Sequence, residues 1–229
     1  MGRSMGKGRL TLKPDGYSFD LDEHFPVELK HVCVMLSGGV ESTILAYLLT
    51  KFYGVQNVIS VSGVMKERRY WEHKNAERIS NLLGIRNIAI ENNFKFMGPE
   101  EVSSLARDVR KMVNFDGIFN GASKLWFNPT RYNVQTAALL KSRGMHLPFI
   151  DLQKQHVIDI YRQYNQEDLL YSTHSCTMES NFHCGMCTCC FERHKGFLEL
   201  IDVDLTLYKT KEKELNKMCL DQTNYRKTW

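Results

Sequence analysis

Short apolar runs alternate with longer stretches of helical periodicity, and this alternation limits the possible folds more than any other feature of the chain. The apolar runs are HVCVML, NVISVSG, RNIAIE, GIFNG and HLPFID. Helices are predicted between them, over residues 41–53, 70–83, 99–112 and 131–143. Strands that alternate with helices indicate a parallel sheet covered by helices on both faces. We therefore expect a doubly wound, Rossmann-like α/β fold.

The chain is long enough for one packed domain. It has 229 residues, of which 43% are hydrophobic and 24% charged, as is typical of globular proteins. Residues 1–30 are predicted to form an N-terminal extension with a short strand in RLTLKP, and residues 207–229 a charged C-terminal tail. No apolar run reaches the roughly 20 residues that span a bilayer, and the N-terminal stretch lacks the apolar core of a secretory signal. We expect no membrane association. The net charge of +4 is too small to indicate direct binding to nucleic acid.

A glycine turn joins the first core run to its helix in the stretch VCVMLSGGVES. Adjacent glycines allow backbone amides to approach an anion, and the following helix N-terminus adds partial positive charge. The turn matches neither the dinucleotide nor the Walker pattern. It is predicted to bind the phosphates of a nucleotide, because ligands of doubly wound sheets sit at the carboxyl ends of the central strands. The predicted binding residues are Leu36, Ser37, Gly38, Gly39, Val40, Glu41 and Ser42. Two roles stay open for Glu41, a helix cap and a ligand of Mg²⁺.

Five of the seven cysteines fall between Cys176 and Cys190. An odd cysteine count without a secretory signal favours a reducing compartment, so we expect a cytoplasmic protein. The pattern C-x7-C-x2-C-x2-C predicts a structural zinc site in the segment 174–197, because each x2 spacing lets two thiolates of one turn reach the same ion. The predicted ligands are Cys176, Cys184, Cys187 and Cys190.

Other ligand sets are possible within the same segment. Cys189 could replace Cys190, although the x2 spacing favours Cys190. The histidines His174, His183 and His194 are possible substitutes that we expect to lie at the surface or beside the ligands. An iron–sulfur cluster uses the same thiolates and is the less favoured alternative.

The glycine turn and the cysteine array, followed by Arg193 and by Gly196-Phe197, together resemble the 7-cyano-7-deazaguanine synthases of the PP-loop ATP pyrophosphatase family. The resemblance covers residues 31–197. LPFIDLQKQHVIDIY is similar to a family segment that carries a lysine at the position of Lys154, and ERRYWEHKNAERISNLLGI is similar to another that places Arg68 on a family position. The chain departs from the family at Glu41, where aspartate is usual, and in NGASKLWFNPTRY, which only faintly matches the family's substrate segment. There, Asn120 and Arg131 are candidate substrate residues.

The resemblance implies a single PP-loop domain over residues 1–229 and an ATP-dependent carbon–nitrogen ligase. Such an enzyme converts a deazapurine carboxylate and ammonia into a nitrile, by way of an adenylated carboxylate, and it uses ATP and Mg²⁺. Glu41, Lys154 and Arg193 are then the predicted catalytic residues, with the two cations placed against phosphates or the carboxylate. The resemblance also makes a homodimer possible.

Two alternatives remain. A PP-loop tRNA thiolase also activates its substrate by adenylation, but it needs a sulfur-carrying thiol and a basic surface for RNA. A relative that acts on another substrate, or a catalytically silent nucleotide-binding protein, would account for the altered substrate segment.

Overall fold

A five-stranded parallel sheet in the order β5-β4-β3-β6-β7 forms the frame of the protein. The computed structural model describes residues 8–65, 71–92, 99–124, 131–200, 203–210 and 214–215. The strands are β1 (Arg9–Leu12), β2 (Tyr17–Asp20), β3 (Val32–Met35), β4 (Val58–Met65), β5 (Arg86–Asn92), β6 (Gly117–Asn120) and β7 (Met145–His146). The helices are α1 (Leu21–His24), α2 (Val40–Tyr53), α3 (Glu72–Leu83), α4 (Pro99–Met112), α5 (Arg131–Ser142), α6 (Lys154–Gln163), α7 (Glu167–Ser172) and α8 (Thr188–Glu199).

Alternate side chains of β3 enter two separate cores, as the pleat of a strand requires. Val32 and Val34 join the core that also contains side chains of α2, α3 and α6. Cys33 and Met35 join the opposite core, which contains side chains of α4 and α5. The sheet is therefore covered by helices on both faces, and the doubly wound prediction is confirmed. The central position of β3 brings the glycine turn to the middle of the carboxyl edge.

The last strand is shorter than the sequence predicted. HLPFID was expected to be a strand, but β7 covers only Met145–His146. Pro148 has no N–H to donate to a strand ladder. After it the chain turns, with hydrogen bonds from the amide of Ile150 to Leu147 O and from the amide of Leu152 to Phe149 O.

The N-terminal residues contain a hairpin of which only the first strand was predicted. β1 pairs with β2 in antiparallel register, and the fully buried side chains of Leu12 and Phe19 join the core that includes α6. The amide of Lys13 donates to Asp159 Oδ2 over 3.0 Å, and Gln163 Nε2 donates to Thr11 O over 2.9 Å. The described part of the predicted extension thus packs on the helix that begins at Lys154.

Among the helices that the structure describes, none combines the length and the apolarity needed to cross a bilayer.

Candidate active site and metal centre

The glycine turn follows β3 directly and leads into α2. Gly38 adopts φ +78°, and a Cβ built on it would lie 2.6 Å from Asn75 Cβ and 2.9 Å from the carbonyl carbon of Asn75. Both the backbone conformation and the close approach of α3 therefore require glycine here. A Cβ on Gly39 meets nothing nearer than Ser37 Oγ, at 3.4 Å. Neither the backbone conformation nor the packing therefore requires glycine at position 39. The backbone of Gly39 instead borders open space.

The hydroxyl groups of Ser37 and Ser42 form hydrogen bonds that stabilise the glycine turn. The side-chain oxygens of Ser37 and Ser42 are 3.1 Å apart, the amide of Gly39 donates to Ser37 Oγ over 3.3 Å, and the amide of Ser37 donates to Ser42 Oγ over 3.3 Å. Backbone N–H and hydroxyl groups at a helix N-terminus are the donors that phosphate oxygens need. The turn can therefore bind an anion.

A cavity of about 400 Å³ opens at the carboxyl ends of β3 and β6 and beside the middle of β4. It brings together Leu36, Ser37, Gly39, Glu41, Ser42, Asn120, Lys154 and Cys176, all of which the sequence predicted as site residues. Of the remaining turn residues, Gly38 is buried and the side chain of Val40 is fully buried in the core. Asn120 closes the turn after β6, because its Oδ1 accepts a hydrogen bond from the amide of Ala122 over 2.8 Å.

Glu41 and Lys154 form an ion pair at the cavity wall, although 113 positions separate them in the chain. Lys154 Nζ donates to Glu41 Oε1, and Ser123 Oγ donates to the same oxygen over 3.1 Å. Burial opposes both charges. The Lys154 ammonium nevertheless holds the pKa of Glu41 below its ordinary value, and the carboxylates of Glu41 and Glu192 hold the pKa of Lys154 above its own. Both side chains are therefore charged near neutral pH.

Glu192 is a cavity residue that the sequence analysis missed. Its side chain is buried and lines the cavity with Glu41 and Lys154. The sequence alone indicates only that Glu192 stands four positions before Gly196 and therefore shares its face of α8. A Cβ on Gly196 would lie 3.1 Å from Lys154 Cγ, so this face of α8 packs closely on α6. Ser123, the hydrogen-bond donor to Glu41, has no comparable signal in the sequence.

Arg193 points away from the cavity, in contrast to its predicted place against the phosphates or the carboxylate. Its side chain is fully buried, and its guanidinium donates to Thr173 Oγ1 over 2.6 Å, to Thr206 Oγ1 over 2.8 Å and to the carbonyl oxygen of Leu170 over 3.2 Å. These bonds join α7 and the segment 203–210 to α8. The structure thus gives Arg193 contacts that hold elements together, because on a helix its side chain points about 100° away from that of Glu192.

Two predicted substrate residues cannot be placed. Arg68 lies outside the described residues. Arg131 begins α5, but its side chain also lies outside the described part of the structure.

Four cysteine thiols converge as predicted. The Sγ atoms of Cys176, Cys184, Cys187 and Cys190 all lie within 4.8 Å of one another. A tetrahedral ion with metal–sulfur bonds of about 2.3 Å separates its sulfurs by about 3.8 Å, so the four thiols fit a single ion with small adjustments. Backbone amides also converge on the sulfurs. Cys176 Sγ accepts from the amides of Glu179 and Cys184 at 3.3 and 3.4 Å, and Cys184 Sγ accepts from the amide of Cys187 at 3.3 Å. The cluster is a candidate metal centre.

The turn between Cys184 and Cys187 requires a glycine at position 185. Gly185 adopts φ +74°, and a Cβ on it would lie 2.8 Å from Thr210 Cβ. Thr210 Oγ1 donates to Cys184 O over 2.8 Å, while the amide of Lys209 donates to His183 O over 2.8 Å. The segment 203–210, of which residues 207–210 belong to the predicted tail, therefore covers the cysteine turn.

The alternative ligands lie beside the thiol cluster and not within it. Burial lowers the pKa of His183 to about 3, and its Nε2 accepts a hydrogen bond from the amide of Ser175 over 3.0 Å. His174 Nε2 donates to Glu179 O, and His194 Nδ1 bonds to Asp204. Cys189 lines the cavity, and burial raises the pKa of its thiol to about 12.

Comparison with known proteins finds two different family models that match separate parts of the chain. Residues 126–201 match the family model for queuosine biosynthesis protein QueC, and residues 26–114 match the model for asparagine synthase. A 7-cyano-7-deazaguanine synthase of Thermoplasma acidophilum is 25% identical in an alignment that covers 76% of this chain and 90% of that protein. The resemblance to the QueC-like family is thereby confirmed, and the matches support an ATP-dependent enzyme of the PP-loop type.

Two solved structures, among others, have partly similar folds. NMN synthetase from Francisella tularensis is 14% identical, with 88% of this chain and 89% of that chain covered and a TM-score of 0.45. U34-tRNA thiolase NcsA from Methanococcus maripaludis, solved with its 4Fe–4S cluster, is 13% identical, with 99% and 87% covered and a TM-score of 0.45. These likenesses concern the fold alone.

Proposed function

We propose that this chain, as a QueC-like PP-loop protein, is a ligase that converts 7-carboxy-7-deazaguanine and ammonia into 7-cyano-7-deazaguanine at the expense of ATP. The observation that carries the proposal is the Glu41–Lys154 pair beside the glycine turn. A lysine in the first turn of a helix is opposed by the helix dipole, and burial adds a further cost. A buried cation in such a place indicates a functional requirement for positive charge at the cavity.

The reaction needs ATP because a carboxylate is a poor electrophile with a poor leaving group. A carboxylate oxygen of the substrate attacks the α-phosphorus of ATP, which expels pyrophosphate and leaves an acyl adenylate. Ammonia then attacks the carbonyl carbon and displaces AMP, which gives the amide after loss of a proton. A second adenylation activates the amide oxygen, and the departure of AMP with the loss of two protons from nitrogen leaves the nitrile.

The residues around the cavity have distinct parts in this proposal. The turn Ser37–Gly39 and the hydroxyl of Ser42 bind the phosphates that become pyrophosphate. Lys154 stabilises the negative charge that develops at the α-phosphate or on the substrate carboxylate. Glu41 and neighbouring oxygens would hold Mg²⁺, which supplies charge neutralisation for the departing pyrophosphate. Substrate contacts are assigned to Asn120, Arg131 and Arg68.

We further propose that the four-thiol cluster holds one structural zinc ion. Its thiols lie within 4.8 Å of one another, close to the sulfur separation around a single tetrahedral ion. A cluster of four irons instead places one iron against each thiolate and therefore needs a wider separation. All four positions belong to the protein, so the ion has no open place for a substrate and acts on folding. A reducing, cytoplasmic setting suits four such thiols.

The ligase proposal is tested by incubating purified protein with ATP, ammonium and 7-carboxy-7-deazaguanine. We expect release of pyrophosphate that depends on the deazaguanine, together with the nitrile and an amide intermediate detected by mass. Protein that binds ATP but forms neither product would refute the ligase assignment and favour a silent or redirected relative.

One observation bears on the thiolase alternative. Cys189 lines the cavity and lies outside the four-thiol cluster, so a thiol is present beside the candidate site. A thiolase that uses this group would lose all turnover in Cys189→Ser. The proposed ligase would keep it, because no step of carboxylate adenylation needs a thiol.

A further inference from the structure

Lys154 shares the cavity with two carboxylates that belong to different helices. Glu41 stands in the first turn of α2, and Glu192 stands in α8. All three side chains line the same cavity, and only 8% of Lys154 and 6% of Glu192 is exposed to solvent. The ion pair described above joins Lys154 to Glu41, and Glu192 adds a second buried carboxylate to the same cavity.

The contact between α6 and α8 fixes the position of Glu192 relative to Lys154. A side chain at Gly196 would collide with Lys154 Cγ at 3.1 Å and would lie only 3.3 Å from the backbone nitrogen of Gln155. Glu192 precedes Gly196 by four positions and therefore lies on the same face of α8. This face of α8 carries the carboxylate of Glu192. Because Gly196 has no side chain, α8 can pack closely on α6 beside Lys154.

Charge balance gives Glu192 a purpose. The described cavity lining carries three carboxylates, those of Glu41, Glu72 and Glu192, and one ammonium, that of Lys154. A buried ion without an opposite charge is costly. If Glu41 binds Mg²⁺ through the oxygen that accepts from Lys154, it gives up that bond, and a second carboxylate then keeps the ammonium paired.

We propose that Glu192 is a positioning residue that holds Lys154 Nζ while Glu41 exchanges this ammonium for the Mg²⁺ of bound ATP. The inference rests on the proposed function. With Glu192 in place, the departure of Glu41 leaves Lys154 paired and directed at the phosphates. Without the carboxylate of Glu192, the ammonium is held by Glu41 more strongly, and Mg²⁺ competes less well for that carboxylate.

The test is a calorimetric titration of ATP at a series of Mg²⁺ concentrations. In Glu192→Gln, the Mg²⁺ concentration for half-maximal ATP binding is expected to rise about tenfold, as for the loss of one charge-assisted hydrogen bond. Glu199→Gln, on the exposed end of the same helix, serves as the matched control and should leave this Mg²⁺ concentration unchanged. In a Glu41→Gln background the Glu192→Gln effect should disappear, because Glu41 no longer competes for the ammonium.

Each outcome of the titration either supports or overturns the role proposed for Glu192. A lower melting temperature in Glu192→Gln with an unchanged Mg²⁺ requirement overturns the inference and leaves a structural role. Should Glu192→Gln fail to fold, Glu192→Met removes the charge with a side chain of similar length, and an unchanged Mg²⁺ requirement there overturns the inference equally. A wild-type chain that binds no ATP with Mg²⁺ overturns the proposed function itself, which the other outcomes leave standing.

Discussion

The backbone amide of His174 donates a hydrogen bond to the carbonyl oxygen of Gly38 over 2.9 Å. The segment that carries the cysteines is thereby attached to the glycine turn. Two residues further on, Cys176 contributes both to the thiol cluster and to the wall of the cavity. The thiol cluster and the glycine turn are therefore directly connected, and we expect a change in the cluster to alter the turn.

The first prediction concerns metal content. Purified protein should contain about one zinc ion per chain, and Cys184→Ser should lose it together with much of the stability, because metal binding here contributes to folding. ATP affinity should fall as well, because His174 no longer supports Gly38. Elemental analysis and thermal unfolding measure the first two effects, and calorimetry measures the third.

Cys189→Ser is the matched control for the metal prediction, because Cys189 lies outside the thiol cluster. It should retain the metal and the wild-type melting temperature to within a few degrees. A folded wild-type sample without metal would refute the proposed zinc site.

The two glycines of the turn should respond differently to substitution. Gly38→Ala should lower the free energy of unfolding by about 1–3 kcal/mol or more, because φ is +78° and Asn75 occupies the space that a Cβ needs. Gly39→Val should leave the protein folded, because the nearest atom to a Cβ there is 3.4 Å away, but it should abolish ATP binding by blocking the approach of phosphate to the backbone. Denaturant unfolding and calorimetry separate the two effects, and unchanged ATP affinity in Gly39→Val would count against a phosphate-binding turn.

The sequence predicted those parts of the fold and the site that depend on local pattern. The order of strands and helices and the glycine turn depend on periodicity and on residues that are neighbours in the chain. The set of clustered cysteines follows from their spacing in the same way. The sequence does not predict the Glu41–Lys154 contact, because this contact depends on how α6 docks against α2, and the two residues are 113 positions apart in the chain.

Side-chain direction within a motif was equally beyond the sequence. Arg193 was chosen because it stands on a family position, whereas its neighbour Glu192 is the one that lines the cavity. A rotation of about 100° between successive helical residues separates the two, and only the packing of Gly196 against Lys154 shows which face of α8 points inward.

Substitution of Glu41 should distinguish a metal ligand from a helix cap. Glu41→Gln keeps hydrogen-bonding capacity but removes the charge that Mg²⁺ needs, so ATP turnover should fall by about 100-fold or more. Glu41→Asp should remain active, because the family usually has aspartate there. Pyrophosphate release with the deazaguanine substrate is the measurement. Turnover in Glu41→Gln equal to that of wild type would leave this residue only a structural role.

The last prediction concerns the pH dependence of stability that the same pair confers. The folded-state pKa of Glu41 lies below its ordinary value, so its contribution is present above pH 4.5 and is lost as the pH falls through the lowered pKa. The pKa of Lys154 is raised in the folded state, so its contribution is present below pH 10.5 and is lost as the pH rises through the raised pKa. The gap in unfolding free energy between wild type and Glu41→Gln should therefore be widest between about pH 5 and pH 10 and should narrow as the pH is lowered from 5 towards 3. Urea unfolding of both proteins across this range is the measurement, and a gap that stays constant down to pH 3 would mean that the ion pair does not stabilise the folded chain.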